Sequence, residues 1–272
     1  MTEHARISGT TRLFAVLGDP VSQVRAPALL NPYFAEHGID AVLVPVHAPA
    51  GRLAEVVTGL QRAANLDGLL ITVPHKIEVR RFADRVSRTV ELTGSANALR
   101  REPDGTWFAE NFDGTGFVRG LRRRGHEPRG RRVALIGAGG AGSAVAAALL
   151  EAEVARLSVC DLDRSRREGL VTRLAAHWPG RVTADERPDL AAADLAVNAT
   201  ALGLRPGDPL PFDPAGLPPG ALVADIVMKP RETGLLTAAA ALGLPVHHGN
   251  HMLDQQLALY ADFFGLAGRT AH

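Results

Sequence analysis

The chain is 272 residues long, 46% hydrophobic and 22% charged, and its 30 Lys and Arg against 29 Asp and Glu leave a formal charge of +1. That composition belongs to a globular chain, and near-neutral charge with 5% aromatic residues argues against a nucleic-acid partner. The longest apolar stretch, around Ala144 to Leu150, is too short to span a bilayer. Residues 1–12 show no secretory h-region, and the single cysteine, Cys160, excludes an internal disulfide. Together these predict a cytoplasmic protein with no membrane partner. At roughly 150 residues per domain, one large or two small domains are expected.

Apolar runs and helical patterns alternate along the chain. Arg12 to Leu17 reads as a buried strand ending at the turn Gly18-Asp19-Pro20. Pro27 to Glu36 reads as a helix with Leu29, Leu30, Tyr33 and Phe34 on one face. Ala41 to Val46 is a strand that Pro45 marks as an edge or an ending. Arg52 to Ala64 has helical period, and Leu69 to Val73 is a third strand, closed by Pro74. A second series runs from about residue 131. Strands are expected at Val133–Ile136, Leu157–Val159, Leu195–Val197 and Leu222–Ile226. Helices are expected to about Ala152, over Arg164–His177 and Thr233–Leu242, and from Met252 to Phe264. Such alternation predicts βαβ units and mainly parallel sheets, an α/β fold. The boundary between the series falls near Asn111 to Asp113.

Gly137-Ala138-Gly139-Gly140-Ala141-Gly142 stands between a strand and an Ala-rich helix. In such a GxGxxG the first glycine permits the tight turn. The second lets backbone approach a pyrophosphate, and the third lets helix and strand pack closely. Asp161, at the end of the next strand, has the spacing of a ribose-binding acid. A carboxylate there repels a 2′-phosphate, which favours NAD; Arg164, Arg166 and Arg167 keep NADP as the alternative. Three further polar clusters are Thr72-Val73-Pro74-His75-Lys76, Gly94-Ser95-Ala96-Asn97-Ala98 and Asn111-Phe112-Asp113-Gly114-Thr115-Gly116. Taken singly, each has an ordinary explanation, and Asp113 reads equally as a helix N-cap.

In this order, with Gly18-Asp19-Pro20-Val21, Asn198-Ala199-Thr200-Ala201-Leu202-Gly203, Asp225 to Pro230 and Met252-Leu253 with Gln256, the chain resembles the shikimate dehydrogenase family over nearly its whole length. The resemblance implies a substrate domain over 1–112, to which 248–272 returns, and a Rossmann domain over 113–247. The active-site cleft is expected between them. It implies an NAD(P)-dependent oxidoreductase that interconverts a ring alcohol and its ketone. The partner is a small cyclic hydroxy acid and the assembly a monomer or homodimer. Lys76 and Asp113 would flank the reacting hydroxyl, with Thr72, Asn97 and Gln256 on the other hydroxyls. Gly137, Gly139, Gly140, Ala141, Gly142, Asp161, Asn198 and Thr200 would bind the dinucleotide. Lys76 suits the role because an ammonium can give up and regain its proton, which a guanidinium does not. It is one of only two lysines, with Lys229, among the 30 basic residues. Asp113 is then an orienting acceptor, or half of a coupled pair.

Departures from the family lie around the substrate. Val24 and Ala26 stand where serines that bind the substrate carboxylate are usual, Leu70 where asparagine is, Met228 where tyrosine is, and His251 where glycine is. Arg25 could fork onto a carboxylate or point into water. The pattern predicts altered substrate preference: shikimate, quinate or another cyclitol acid. A catalytically weak dinucleotide sensor is the alternative from another class. His247, His248 and His251 lack the further ligands of an obvious metal site.

Overall fold

The computed structural model describes residues 7–266; residues 1–6, which belong to the stretch without an h-region, and 267–272 lie outside it. The chain divides into two compact units: residues up to Glu91 with Ser95–Asn111 and Leu257 onward, and Leu92–Gly94 with Phe112–Gln256. No helix among the described residues is long and apolar enough to cross a membrane.

The first unit contains β1 (Arg12–Gly18), α1 (Ala26–Glu36), β2 (Ala41–His47), α2 (Leu53–Gln61), β3 (Leu66–Ile71), β4 (Arg85–Val86), most of α3 (Arg88–Thr93), β5 (Ala98–Arg101) and β6 (Trp107–Glu110). Its sheet runs β2-β1-β3-β5-β6-β4. β2 is at the edge, as Pro45 requires, and pairs parallel to β1, which pairs parallel to β3. Beyond β3 the sheet is mixed, with β4 parallel to β6. β5 is antiparallel to both β3 and β6, a hairpin turned at Asp104-Gly105, where Gly105 has φ of 85°. Leu17, Leu53, Val57, Leu69 and Leu99 form its buried core.

The second unit contains α4 (Asp113–Arg123), β7 (Arg132–Ile136), α5 (Gly140–Glu151), β8 (Arg156–Cys160), α6 (Arg164–Ala175), β9 (Val182–Asp185), β10 (Leu195–Asn198), β11 (Leu222–Asp225), α7 (Gly234–Ala241), β12 (Val246–His247) and the first half of α8 (Asn250–Phe263). Its sheet is wholly parallel, in the order β12-β11-β10-β7-β8-β9. Read from β9, that is the doubly wound order 3-2-1-4-5-6, with its switch point between β7 and β10. β7, β8 and β10 are buried almost end to end, as expected of strands covered on both faces. α4 and β9 had no counterpart in the hydrophobic pattern. α4 is rich in Gly and Arg, and β9 is a four-residue edge strand.

His247 ends β12, buried edge-to-face on Phe117 and near the rings of His126 and His251. Neither of its ring nitrogens has a hydrogen-bonding partner among the described residues. Burial, then the charges of the surrounding histidines and Arg124, push it down to about 3. An unfolded histidine takes its proton near 6.5. Between those two values the unfolded state holds the extra proton, so this contribution to stability is present above pH 6.5 and is lost as pH falls toward 3. The slope is about 1.4 kcal/mol per pH unit. Urea unfolding at pH 7.5 and pH 5 should show a drop in midpoint for the wild type that shrinks in His247→Leu.

Candidate active site

The glycine turn sits at the carboxyl end of β7, on one side of the switch point. Gly137 has φ of +109°, and a Cβ there would lie 2.7 Å from the Ala199 carbonyl carbon. A Cβ at Gly142 would collide with the Gly137 carbonyl oxygen. At Gly139, the N-cap of α5, nothing lies within 4 Å of that position, and no side chain caps the helix. Two glycines are therefore demanded by packing, and the middle one leaves open space over the N-terminus of a twelve-residue helix. That space and that dipole fit a pyrophosphate. Gly140 and Ala141 form the first turn of α5.

Asp161 follows β8, and its carboxylate is held at both oxygens: Ala138 N–H donates at 2.6 Å and Asp163 N–H at 2.8 Å. The arginines behind it are engaged elsewhere. Arg164 donates to Glu168 at 2.8 Å, Arg166 pairs with Asp163 at 3.3 Å, and buried Arg167 donates to the Asp161 carbonyl at 2.9 Å. Leu162, which sequence reasoning passed over, is fully exposed beside the acid.

Across the switch point, the loop after β10 is built on buried polar groups. The Asn198 carbonyl Oδ1 accepts from Thr200 N–H at 3.0 Å and Thr200 Oγ1 at 2.7 Å. Its amide donates to the Leu202 carbonyl and to Asp225 Oδ1, both at 3.0 Å. Asp225, wholly buried, also accepts from Val227 N–H and Thr233 Oγ1. Burial raises its carboxyl above the ordinary range, against those hydrogen bonds. Asn198 thus shapes the loop that carries half-buried Thr200, while half-buried Met228 lies in the segment after β11. Asp225 opens one of the stretches that carry the family resemblance, but a strand-end acid has no distinctive signal and no role was read for it.

Asp113 is not the N-cap. Phe112 takes that position, without a side-chain cap bond, and Asp113 is the first helical residue, 2% exposed. Instead it accepts a hydrogen bond from Gln256 Nε2 at 3.0 Å. Glycines bring the helices this close. A Cβ at Gly116 would lie 2.7 Å from the Met252 carbonyl oxygen, one at Gly120 would lie 2.9 Å from that of His251, and one at Gly114 would run into the Ala144 carbonyl of α5.

In the first unit, Thr72, Lys76 and Asn97 gather at the carboxyl ends of β1 and β3. This is the edge where open α/β sheets bind ligands. Thr72 N–H donates to the Leu17 carbonyl at 2.9 Å. The half-buried Lys76 lies on the turn after β3. Its carbonyl accepts from Ala96 N–H at 2.7 Å, and buried His75 bonds the Ala48 carbonyl through Nε2 at 2.7 Å. Asp19 ties the neighbouring loops, accepting from His47 Nε2 at 2.9 Å and Ala50 N–H at 3.1 Å; these bonds hold it below the usual carboxylate range. Asn97 is buried and donates from Nδ2 to Tyr260 Oη at 3.2 Å. Arg25, at the N-cap of α1, is exposed and does not cap it, with Val24 half-buried beside it.

A doubly wound sheet with this turn, in one chain with a smaller α/β unit rich in ordered polar side chains, points to the class of dinucleotide-dependent oxidoreductases. Comparison with known proteins narrows the class. Residues 16–99 match the model of the shikimate dehydrogenase substrate binding domain. A shikimate dehydrogenase (NADP(+)) of Rubrobacter xylanophilus is 40% identical over 92% of this chain and 89% of its own. The chain belongs to the shikimate dehydrogenase family, whose named enzymes act on CH–OH groups with NAD(P). Among solved structures, the quinate dehydrogenase of Corynebacterium glutamicum in complex with NAD is 32% identical, with a TM-score of 0.81 over 94% of this chain and 93% of that one. The ligand-free 5-ketofructose reductase of Gluconobacter sp. strain CHM43 is 27% identical, with a TM-score of 0.80 over 93% and 92%.

The glycines separate packing from binding. Gly139→Ala should unfold at the wild-type temperature yet weaken NAD binding at least tenfold in a fluorescence titration. Gly142→Ala should lower the melting temperature itself, because the new methyl meets backbone.

Proposed function

We propose that the protein is an NAD-dependent dehydrogenase that interconverts a ring alcohol and its ketone, of the shikimate/3-dehydroshikimate type. The carrying observation is that Thr72, Lys76, Asn97, Asp113 and Gln256 are all present, in backbone or side-chain contexts that fix them. Bound NAD would accept the hydride that leaves the carbinol carbon. Lys76 takes the hydroxyl proton in that direction and returns it to the nascent alkoxide in the other. Asp113, its carboxylate oriented by Gln256, accepts a hydrogen bond from the reacting hydroxyl. Thr72 and Asn97 hold the other hydroxyls. Lys76→Arg keeps the charge but fixes the proton. It should cut kcat by about 10²–10⁴-fold, the range of acid–base catalysis, while the Kd for NAD stays unchanged. Wild-type turnover by the arginine variant would refute the role.

NAD is favoured over NADP by Asp161, whose charge opposes a 2′-phosphate, and by the partners that occupy Arg164, Arg166 and Arg167. The Rubrobacter relative is named for NADP(+), so the difference is testable. The kcat/KM for NAD should exceed that for NADP at least tenfold, and parity would overturn the assignment. The single thiol, Cys160, is buried and pushed up to about 11, which makes it a poor nucleophile.

A second substrate reading is favoured by Val24 and Ala26, which offer no hydrogen bond to a carboxylate, and by the likeness to the 5-ketofructose reductase. On it, the substrate is an uncharged polyhydroxy ketone. A panel of shikimate and quinate with NAD, and 5-ketofructose with NADH, decides between the two. Binding of NAD without turnover of any of the three would leave a sensor.

A further inference from the structure

Two buried polar side chains assigned above to the substrate, Asp113 and Asn97, share a property. Each is hydrogen-bonded by a residue of α8: Gln256 bonds Asp113 at 3.0 Å, and Tyr260 bonds Asn97 at 3.2 Å. Gln256 and Tyr260 are four residues apart, and so lie on one face of the helix. We propose that Tyr260 is a positioning residue of the substrate site, acting through Asn97 to set which hydroxyl pattern the enzyme accepts. The proposal rests on the assignment of Asn97 to the substrate.

The backbone of Asn97 is fixed on both sides. Its N–H donates to the Glu110 carbonyl at 3.0 Å, and its carbonyl accepts from Ile71 N–H at 2.8 Å. The phenol bonds the side-chain amide, whose rotation sets what it presents to a ligand. The phenol is itself held in place. Tyr260 is 6% exposed, with its ring 6.5 Å from that of Phe264. Phe264 in turn packs edge-on to Phe14 and Phe263, both at 5.0 Å, and fills the space where a Cβ of Gly68 would be. A phenol both donates and accepts, so it can support Asn97 in presenting a defined donor or acceptor to a hydroxyl or a ketone. An aliphatic residue at 260 would remove that bond from the amide, and preference among hydroxyl patterns would relax.

The test is a double-mutant cycle of Tyr260→Phe and Asn97→Ala, with shikimate and NAD as probes or with whichever panel compound the wild type turns over fastest. Tyr260→Phe should raise the KM for substrate roughly tenfold, the size of one buried hydrogen bond. The kcat and the KM for NAD should stay near wild type, and the melting temperature should fall by only about 2–4 °C, the folding cost of that one bond. It should also narrow the wild type's discrimination across the panel. In the Asn97→Ala background the same substitution should change KM by less than about twofold, because the two residues act as one unit. An unchanged KM in Tyr260→Phe while Asn97→Ala raises it overturns the proposal. So does a cycle in which the two effects multiply. An unchanged KM in Asn97→Ala refutes instead the assignment of Asn97, and the proposal falls with it.

Discussion

Only a hydrogen fits at the Cα of residue 142, because a larger group would meet the carbonyl oxygen of residue 137. That close approach sets the angle at which α5 leaves the end of β7. It places the helix N-terminus beside the switch point, with Gly139 open above it. It also brings the turn against Ala199, across from it in the loop after β10. Asp161 can bond Ala138 N–H only while the turn keeps this shape. The buried Asn198–Asp225 pair fixes the opposite wall by the same means. Backbone packing comes first here, and the polar groups then hold what packing has placed.

The glycines of α4 extend this logic. Gly114 faces the Ala144 carbonyl, and Gly116 and Gly120 face carbonyls of α8. α4 is therefore pressed between two helices at backbone distance, which buries Asp113 at its first turn. A carboxylate so deeply buried needs a donor, and Gln256 supplies one. In the first unit the equivalent task falls to loops. Asp19, His75 and the backbone of Ala96 bind the ends of three strands together and present Lys76 from a turn held by the His75 and Ala96 bonds.

The sequence was legible where periodicity or glycine spacing carried the signal. Strands β7, β8, β10 and β11 of the second sheet, helix α8 and the three-glycine turn follow from residue pattern, and each glycine takes the place its spacing implied. It was less legible where structure depends on partners distant in the chain. β9 is too short and too exposed to alternate clearly. The β5–β6 hairpin did carry a signal, in Asp104-Gly105 between two half-apolar runs, but its strands are four residues each. At the site, residue identity suggested Asp113 and Asn97. Their partners Gln256 and Tyr260 lie 143 and 163 residues away, a relation that no local pattern encodes. Asp113 reads as a cap because acids often cap helices, and it is not one because tertiary burial gave it a different donor.

The choice of dinucleotide shows how little of such a question composition answers. Three arginines within four positions look like a phosphate cradle. In the folded chain one is buried against the Asp161 carbonyl, one is paired with Asp163 and one with Glu168. To reach a 2′-phosphate, Arg164 or Arg166 would have to leave a carboxylate for a phosphate, gaining little net charge interaction at a solvent-exposed site. The Asp161 charge, held by two backbone N–H groups, would remain next to the phosphate throughout. Anchoring costs the acid its freedom to turn away, so on the proposed reading repulsion of a 2′-phosphate would be built into the turn that would hold the rest of the cofactor.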